Sequence, residues 1–542
     1  MSRLAGVTPI PPDFAARYRA RGYWEDVPLG RFYDGVFKSH ENRLALISGT
    51  ERVTYNELQQ RVDRLALHLL ELGVTPLDRW VVQLPNIPEF VYLYFALQRL
   101  GAIPIMALAG HRWNEINAFF ELSGANGYAV SERLGDFDSG QLVGQIRKAH
   151  PHVHIVLGAE RIRELVQRSP RSDPGLLDSI QIDPDEPCIF QLSGGTTGVP
   201  KLIPRTNNDY VYNTKAAVEV NDIHPDDCLL VVLPIAHNFP LACPGISGFF
   251  QKGARVILSE SPRADDVFPL IARERITHLE LVPALLIRYI NAPSISDHDL
   301  SSIRVINTGG QKLQPEVKRR AESLFPNARV QEVFGMAEGL LMFVRLDDPE
   351  DVRFETAGRP VCEDDEILIV DDERNPVPDG EVGELLVRGP YTLRGYYGVP
   401  EYNARTFTPD GFYCSGDLMR RHPSGNYIVE GRKKDLINRG GEKISAEEIE
   451  NLILSHPAVL NVACVPMPDP VLGERMCAFV IAHPGRTLTL PELTAFLTEK
   501  GLAKFKLPER LELTGDLPLS KFGKVAKNVL AKRLLDEVKV SS

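Results

Sequence analysis

A glycine-rich segment carries the clearest chemistry in this sequence. It consists of Ser193, Gly194, Gly195, Thr196, Thr197, Gly198, Val199, Pro200 and Lys201. Glycines let backbone amides approach an anion closely, the hydroxyls add hydrogen-bond donors, and the lysine adds a positive charge. This combination predicts a loop that holds phosphate groups, although a glycine turn without a ligand would have the same flexibility.

Two common nucleotide-binding motifs do not describe this segment. A Walker loop needs Gly-Lys followed directly by Ser or Thr and then a helix. Here Val199 and Pro200 precede the lysine, and the apolar, strand-like pair Leu202 and Ile203 follows it. No Gly-x-Gly-x-x-Gly motif for a dinucleotide occurs in the chain.

The elements that must position such a loop follow an α/β pattern. Thr54 and Glu57 have the spacing of a capping box, apolar residues then recur at helical spacing, and Gly73 is the predicted helix stop. Apolar segments at 255–258 and 278–282 are typical of buried strands and alternate with helical patterns to about residue 330. This alternation favours layered α/β structure with parallel sheet.

The pattern of predicted secondary structure changes towards the C-terminus. From about residue 355 the predicted strands are short and rich in turns, for example at 366–370 and 383–387, which indicates a small β subdomain. A charged stretch at 431–435 precedes a final α+β pattern, so we expect a domain boundary near Asp435. At 542 residues the chain should form several structural units, at roughly 100–200 residues per domain.

Composition excludes several classes of protein. The formal net charge is −11, which argues against general binding to nucleic acid or to anionic membranes. The longest apolar stretch, 228–236, is far shorter than the ~20 residues needed to cross a bilayer. Prolines at 9, 11 and 12 replace the apolar core of a secretory signal, so we expect a cytoplasmic protein. The seven cysteines show no Cys-x-x-Cys spacing, which disfavours zinc and disulfide frameworks.

Four further segments, together with the glycine-rich one, indicate a family. They are Gln-Glu-Val-Phe-Gly-Met-Ala-Glu at 331–338, Tyr-Cys-Ser-Gly-Asp at 413–417, Gly-Arg-Lys-Lys-Asp at 431–435 and Pro-Leu-Ser-Lys-Phe-Gly-Lys at 518–524. In this order they resemble the adenylate-forming superfamily of acyl-CoA synthetases, luciferases and carrier-protein-loading adenylation domains, over nearly the whole chain. Each segment alone would also fit a turn or a solvated charge, but five in the family's order are not expected by chance.

The resemblance implies a fold and an ATP site. The fold is α/β, with a large N-terminal domain of layered α/β sheets over 1–434, a small β-barrel subdomain at about 355–434, and a small mobile α+β C-terminal domain over 435–542, hinged at Asp435. The residues implied to bind ATP are Ser193, Gly194, Gly195, Thr196, Thr197, Gly198, Lys201, Gly309, Gly310, Val333, Phe334, Asp417 and Arg432.

The family's chemistry implies roles for further residues. An acid carboxylate attacks the α-phosphorus of ATP and pyrophosphate leaves, so negative charge must be neutralised on both sides. By resemblance, Lys524 bridges acid and nucleotide, Glu338 holds Mg²⁺, and His237 belongs to the catalytic set. Rotation of the C-terminal domain then removes the lysine and presents the pantetheine tunnel, namely Arg439, Gly440 and Gly441.

The segment that begins at His237 points to the acid. Amino-acid-activating relatives have an Asp near this point, whereas this chain has Asn238, which cannot neutralise an α-ammonium group. The segment resembles stand-alone aryl acid adenylating enzymes of siderophore assembly, in which this Asn bonds a 2-hydroxyl and the residue at Phe239 packs on the ring. A buried loop whose polar groups bond only the backbone is the competing interpretation.

Two positions within that subfamily favour salicylate. Relatives that take 2,3-dihydroxybenzoate tend to have Ser and Val where this chain has Cys243 and Leu341, and salicylate enzymes tend to have Cys and Leu. A thiol is a poor donor to a 3-hydroxyl, and leucine fills the space that this group would occupy. We therefore expect a salicylate-AMP ligase, with a 2,3-dihydroxybenzoate-AMP ligase or an aryl-CoA ligase as alternatives.

The tail after Lys524 shows no pantetheine attachment motif, so we expect the acceptor to be a separate aryl carrier protein with a phosphopantetheine thiol. A nucleotide-binding regulator without turnover is a further alternative. The joint presence of Glu338, Asp417, Arg432 and Lys524 argues against it.

Overall fold

The chain is described by a computed structural model that covers residues 4–193, 201–440, 442–469, 471–520 and 524–541. The helices are Pro12–Ala20, Leu29–Ser39, Tyr55–Glu71, Pro88–Leu100, Trp113–Ser123, Gly140–Ala149, Ala159–Gln167, Leu176–Ser179, Asn207–Glu219, Asn238–Ala242, Gly245–Gln251, Ala264–Glu274, Pro283–Ile290, Pro315–Leu324, Glu350–Glu355, Pro400–Thr406, Ala446–Leu454, Leu490–Glu499 and Lys527–Ser541. Short 3₁₀ turns lie at Pro293–Asp297, Lys433–Asp435 and Lys504–Lys506.

Two large sheets form the N-terminal part of the described chain. The first has the strand order Arg359–Pro360, Leu341–Phe343, Arg329–Gly335, Val305–Gly309, His278–Leu281, Cys228–Val231, Arg255–Leu258, Leu44–Ser48 and Glu51–Thr54. The second has the order Leu202–Thr206, Pro187–Leu192, Ile103–Met106, Arg79–Gln83, Gly127–Val130 and Ile155–Gly158. Most strands of both sheets pair in parallel. Among the described strands, antiparallel pairing is confined to Glu51–Thr54, Leu341–Phe343 and Arg359–Pro360 in the first sheet and to Leu202–Thr206 in the second, so the predicted α/β class with parallel sheet is confirmed.

A layer of helices lies between these two sheets. The helix Pro88–Leu100 is buried along its whole length. Most of its residues are apolar, and its buried polar residues Glu89, Gln98 and Arg99 are paired with other side chains or with the backbone. One core cluster joins its side chains to Leu46 and Val256 of the first sheet and to Trp80 and Ala129 of the second. The two sheets are thus packed on each other through shared helices.

Two smaller sheets complete the fold. An antiparallel sheet contains Glu366–Val370, Gly383–Arg388, Tyr413–Arg421 and Tyr427–Arg432, where the sequence predicted a small β subdomain. The other contains Glu442–Ser445, Leu436–Arg439, Gly473–Ala482, Val459–Asp469 and Arg510–Leu513, and it packs on its own apolar core. A two-stranded ribbon pairs Arg133–Leu134 with Phe137–Asp138.

Local signals in the sequence explain individual elements. Thr54 and Glu57 form the predicted capping box at the start of Tyr55–Glu71, and the helix ends just before Gly73, whose φ is +89°. In the part of the chain that the structure describes, no helix is both long and apolar enough to span a bilayer.

Gly127 provides a test of the packing of the second sheet. It lies beside Trp80 on the neighbouring strand, and a β-carbon at Gly127 would stand 2.2 Å from an indole carbon. We expect Gly127→Ala to lower the free energy of unfolding by about 1–3 kcal/mol, because the buried indole has to move. Gly144 is an exposed helical position with open space around it, so Gly144→Ala should raise that energy by about 0.5–1 kcal/mol. Urea unfolding measures both changes, and equal midpoints for the two variants would contradict this packing.

Candidate active site

The candidate site lies where adjacent parallel strands end. Gly309 is the last residue of Val305–Gly309, and Val333 is its register partner on the next strand. A β-carbon on Gly309 would stand 2.6 Å from Val333 Cγ1 and 2.7 Å from its carbonyl oxygen. Only glycine fits at this position, because Val333 already fills the space that a side chain would need, so the two strand ends pack closely together.

Lys524, from the C-terminal domain, reaches this same point. Its Cε and Nζ atoms lie 3.1 and 3.7 Å from the position that a β-carbon on Gly310 would occupy. Gly310 has a φ of +91°, a conformation that favours glycine. The two predicted site residues, more than 200 positions apart in sequence, are therefore brought together by the fold.

His237 lies near this ammonium group, whose charge acts on the imidazole. Its Nδ1 accepts the N–H of Phe239 at 3.2 Å and caps the short helix Asn238–Ala242. Loss of solvent around the imidazole, with a smaller effect of the Lys524 charge, lowers the pKa of His237 to about 4. The ring is thus neutral near pH 7, and because Nδ1 accepts, the proton lies on Nε2.

The predicted aryl-binding residues share one wall. Cys243 and Leu341 belong to a single buried cluster, which also contains Val333, a residue predicted to bind ATP, and Phe239 packs against this cluster. The amide nitrogen Nδ2 of Asn238 donates to Cys243 Sγ at 3.2 Å. This wall combines apolar surface with one oriented amide, as expected for a small aromatic ligand.

Glu338 lies in the turn after Arg329–Gly335. Tyr396 donates its hydroxyl to Glu338 Oε1 at 2.7 Å, and Tyr413 bonds Tyr396 at 3.1 Å. Desolvation raises the pKa of Glu338, while the Tyr396 bond and the nearby Arg432 charge oppose this rise. A nearby cation would favour the ionised form of this carboxyl.

Asp417 and Arg432 form an ion pair across neighbouring strands. The two residues are register partners, and Arg432 Nε donates to Asp417 Oδ1 at 2.7 Å. The other carboxylate oxygen, Oδ2, is buried and has no hydrogen-bond partner among the described residues. A buried acceptor without a donor costs stability, so a hydrogen-bond donor supplied by a ligand would satisfy this oxygen.

The described ends of the glycine-rich segment lie close together. Ser193 N–H donates to Lys201 O at 3.0 Å, and Lys201 N–H donates to Ser193 Oγ at 2.9 Å. The predicted strand after the segment is present as Leu202–Thr206. Lys201 Nζ lies 3.9 Å from the centre of the Tyr402 ring. Five predicted phosphate-binding residues lie outside the described residues: Gly194, Gly195, Thr196, Thr197 and Gly198.

The predicted hinge residue lies in a turn that connects the two smaller sheets, and the described tunnel residues lie at the end of the strand that follows. Asp435 ends the 3₁₀ turn Lys433–Asp435. Arg439 Nε bonds Glu509 Oε1 at 2.6 Å, and Gly440 has a φ of +59° at the end of its strand. Gly441 lies outside the described residues.

Other side chains that support the site were not identified from the sequence. Glu280 Oε1 accepts the N–H of Gly245 at 2.9 Å and so fixes the loop that contains Cys243. Tyr391 accepts the N–H of Leu341 at 3.1 Å and donates to Asp365 at 2.6 Å. No local spacing signals these contacts, because each joins segments at least 26 residues apart.

No cluster of three or more His, Cys, Asp or Glu side chains that could hold a metal is present in the described ranges. A protein-only metal cage is therefore not present in that part of the chain. A divalent cation held by one carboxylate and by phosphate oxygens needs no such cluster.

Comparison with known proteins places these residues in context. Residues 34–397 match the family described as AMP-binding enzyme, and residues 448–524 match its C-terminal domain. A Streptomyces salicylyl-CoA synthase / salicylate adenylyltransferase is 47% identical, with 98% of each chain covered. The 2,3-dihydroxybenzoate-AMP ligase of Bacillus subtilis is 43% identical, with 99% of each chain covered. A salicyl-AMP ligase / salicyl-S-ArCP synthetase of Mycobacterium tuberculosis is 41% identical, covering 98% of this chain and 95% of that protein.

Glu280 generates a pH-dependent prediction. Burial raises its pKa from 4.5 to about 8, so the folded chain holds this proton more tightly than the unfolded chain does. The resulting stability is complete below pH 4.5 and is lost as pH rises through 8. Gln cannot ionise and can still accept the Gly245 N–H.

Relative to the unmodified chain, Glu280→Gln should therefore gain on the order of 3 kcal/mol in free energy of unfolding between pH 5 and pH 8. Denaturant unfolding at the two pH values measures this difference, and the value at pH 5 is the internal control. The same difference at both pH values would show that the carboxyl is not held neutral.

Proposed function

Because this chain belongs to the AMP-binding enzyme family and is an aryl acid-AMP ligase, we propose that salicylate is the acid it activates. The resemblance to adenylate-forming enzymes is confirmed, and so is the activation of an aryl acid with ATP. The observation that supports salicylate is the wall that places Asn238, Cys243 and Leu341 together.

The relatives alone do not separate the candidate acids. Those named for salicylate and the one named for 2,3-dihydroxybenzoate lie at similar identity, 41–47%. Their names share a 2-hydroxy aryl acid, for which Asn238 is the proposed partner. Cys243 and Leu341 favour the acid without a 3-hydroxyl, since a buried hydroxyl without a good partner is penalised.

The first step joins two anions, and the proposed roles follow from charge. Lys524, placed over Gly310, contacts the acid carboxylate and the nucleotide as the carboxylate oxygen attacks the α-phosphorus. Neutral His237 lies beside this point and adds no second positive charge. In this proposal, the main contribution of the protein to the rate is the electrostatic stabilisation of the transition state by a positioned ammonium group.

The nucleotide is held by residues on three elements. Asp417 Oδ2, the buried oxygen without a partner, accepts a ribose hydroxyl, while Arg432 holds the other oxygen. Phe334, half-buried at the end of its strand, stacks on the base. Ser193 and Lys201, with the segment between them, hold the departing phosphates.

Glu338 fits a magnesium site. Mg²⁺ commonly uses one or two carboxylates together with substrate phosphates, and Glu338 is a single carboxylate facing this region. When bound there, the ion neutralises phosphate charge and supports pyrophosphate as the leaving group. Tyr396 orients the carboxylate through its hydrogen bond.

The second step transfers the acyl group to a thiol. We place the hinge at Asp435, in the 3₁₀ turn between residues 1–434 and 435–542, with Arg439, Gly440 and Gly441 at the pantetheine tunnel. The acceptor proposed is the phosphopantetheine thiol of a separate aryl carrier protein, as in the name of the M. tuberculosis relative. Coenzyme A is the alternative, as in the name of the Streptomyces relative.

Lys524→Ala should separate the two half-reactions. We expect acid-dependent ATP–pyrophosphate exchange to fall at least about 100-fold, because one positioned charge is lost. Transfer from supplied salicyl-AMP to a holo carrier protein should be largely retained. Lys504→Ala, at an exposed lysine of the same domain, is the control and should leave both rates unchanged. Equal loss of both half-reactions in Lys524→Ala would contradict the two-conformation scheme.

Acid selectivity tests the proposed substrate. In the exchange assay we expect kcat/KM for salicylate to exceed that for 2,3-dihydroxybenzoate by about 10- to 200-fold, the range for one filled apolar space. The double variant Cys243→Ser, Leu341→Val should move this ratio at least about 10-fold towards the dihydroxy acid. Cys228→Ser, a buried cysteine in another cluster, is the control. A higher kcat/KM for the dihydroxy acid in the unmodified enzyme would refute salicylate.

A further inference from the structure

A buried hydrogen-bond chain lies behind the amide of Asn238. Gln191 Nε2 donates to the Tyr210 hydroxyl at 3.2 Å, and that hydroxyl donates to Asn238 Oδ1 at 2.8 Å. All three side chains are buried. The steps of the reaction described above do not use Gln191 or Tyr210.

The donors and acceptors of these two hydrogen bonds can be assigned in order, from Gln191 through Tyr210 to Asn238. A tyrosine hydroxyl has one proton, so if it accepts from Gln191 it donates that proton to the Asn238 oxygen. The Asn238 oxygen Oδ1 is then occupied as the acceptor of this bond, and the nitrogen Nδ2 has two protons to donate. One of them is directed at Cys243 Sγ, at 3.2 Å.

The side-chain amide of Asn213 also turns its nitrogen towards Cys243, and its orientation is fixed by a partner that can only donate. Arg205 has only donors, and its Nη2 lies 3.3 Å from Asn213 Oδ1. Asn213 Nδ2 therefore faces the carbonyl of Ala242, at 2.9 Å, and Cys243 Sγ, at 3.8 Å. The sulfur thus receives N–H groups from two amides, which is consistent with Asn238 turning its nitrogen, and not its oxygen, towards it.

Asn238 also borders a small cavity. A cavity is lined by Gln191, His237 and Asn238 together with apolar side chains that include Met106 and Leu108. The amide is therefore held from behind and accessible from the front. This is the arrangement needed for a group that contacts a ligand in a fixed orientation.

We infer that Tyr210 is a positioning residue that locks Asn238 as a hydrogen-bond donor, so that the enzyme selects aryl acids with an acceptor at the ortho position. This rests on the proposed function, since it names what Asn238 requires of the acid. The 2-hydroxyl of salicylate meets the requirement: its proton bonds the adjacent carboxylate, and its oxygen accepts from Asn238. An ortho amino group fails, because it presents a further N–H to the amide donor.

The test uses ATP–pyrophosphate exchange with salicylate, benzoate and anthranilate as the three acids. Tyr210→Phe removes only the hydroxyl oxygen, which frees the Asn238 amide to rotate. We expect kcat/KM for salicylate to fall about 10-fold, mainly through KM, while benzoate, which has no ortho group, changes little. The salicylate-to-anthranilate ratio should fall by a similar factor. Tyr289→Phe is the matched control, since its buried hydroxyl bonds the Pro262 carbonyl away from the site.

A second variant tests which groups donate and which accept in the hydrogen bonds that join Gln191, Tyr210 and Asn238. In Gln191→Glu the new carboxylate has no donor and accepts the Tyr210 proton, so Asn238 has to turn its N–H towards Tyr210 and its oxygen towards the acid. The preference should then shift from salicylate towards anthranilate relative to the unmodified enzyme, even where overall activity is reduced.

The outcomes separate the two proposals. Failure of the unmodified enzyme to exchange with salicylate would refute the proposed function. Activity with salicylate combined with an unchanged salicylate-to-benzoate ratio in Tyr210→Phe would overturn the inference alone. Equal loss for all three acids in Tyr210→Phe, with Tyr289→Phe active, would also overturn it, because it would show a purely structural role.

Discussion

Two anions have to meet in one cleft, and this electrostatic constraint governs the site. At 4 Å, two unit charges repel by about 4 kcal/mol at an effective dielectric constant near 20. The chain carries a net charge of −11, so its overall field does not help. Positive charge has to be supplied locally, and Arg432 is already held by Asp417. In the proposed mechanism, the ammonium of Lys524, which lies over Gly310 and belongs to the C-terminal domain, supplies such a charge beside the attacking carboxylate.

The parallel strands explain why the cleft lies where it does. Neighbouring strands end together in a parallel sheet, so Glu280, Gly309 and Val333 come from consecutive strands to one edge. Glycine at Gly309 lets its strand end pack closely against Val333, while Glu280 anchors the loop that carries Cys243. The larger part of the chain thus forms the strand ends, and the C-terminal part contributes Lys524. In the two-step scheme proposed above, this division is what would let one cleft serve two successive reactions.

The sequence was sufficient for the elements and for the family, but not for the supporting contacts. The capping box at Thr54, the strand 255–258 and the strand after Lys201 follow from local spacing, which is why they could be predicted. Five ordered segments identified the family and the candidate residues. The Tyr210–Asn238 and Tyr391–Leu341 bonds join residues 28 and 50 positions apart, so their partners depend on tertiary packing. Hydrogen-bond direction, which decides what a pocket accepts, is fixed only when those partners are known.

The two sides of the aryl pocket are supported in chemically similar ways. Glu280 holds the Cys243 loop, and Asp365, through Tyr391, holds the backbone of Leu341. Burial raises the pKa of both carboxyls to about 8, so both supports are largely neutral at pH 7. Ionised carboxylates at these positions would repel the incoming acid through a medium of low dielectric constant. Because the supports are neutral, they can fix the shape of the pocket without placing further negative charge beside the substrate carboxylate.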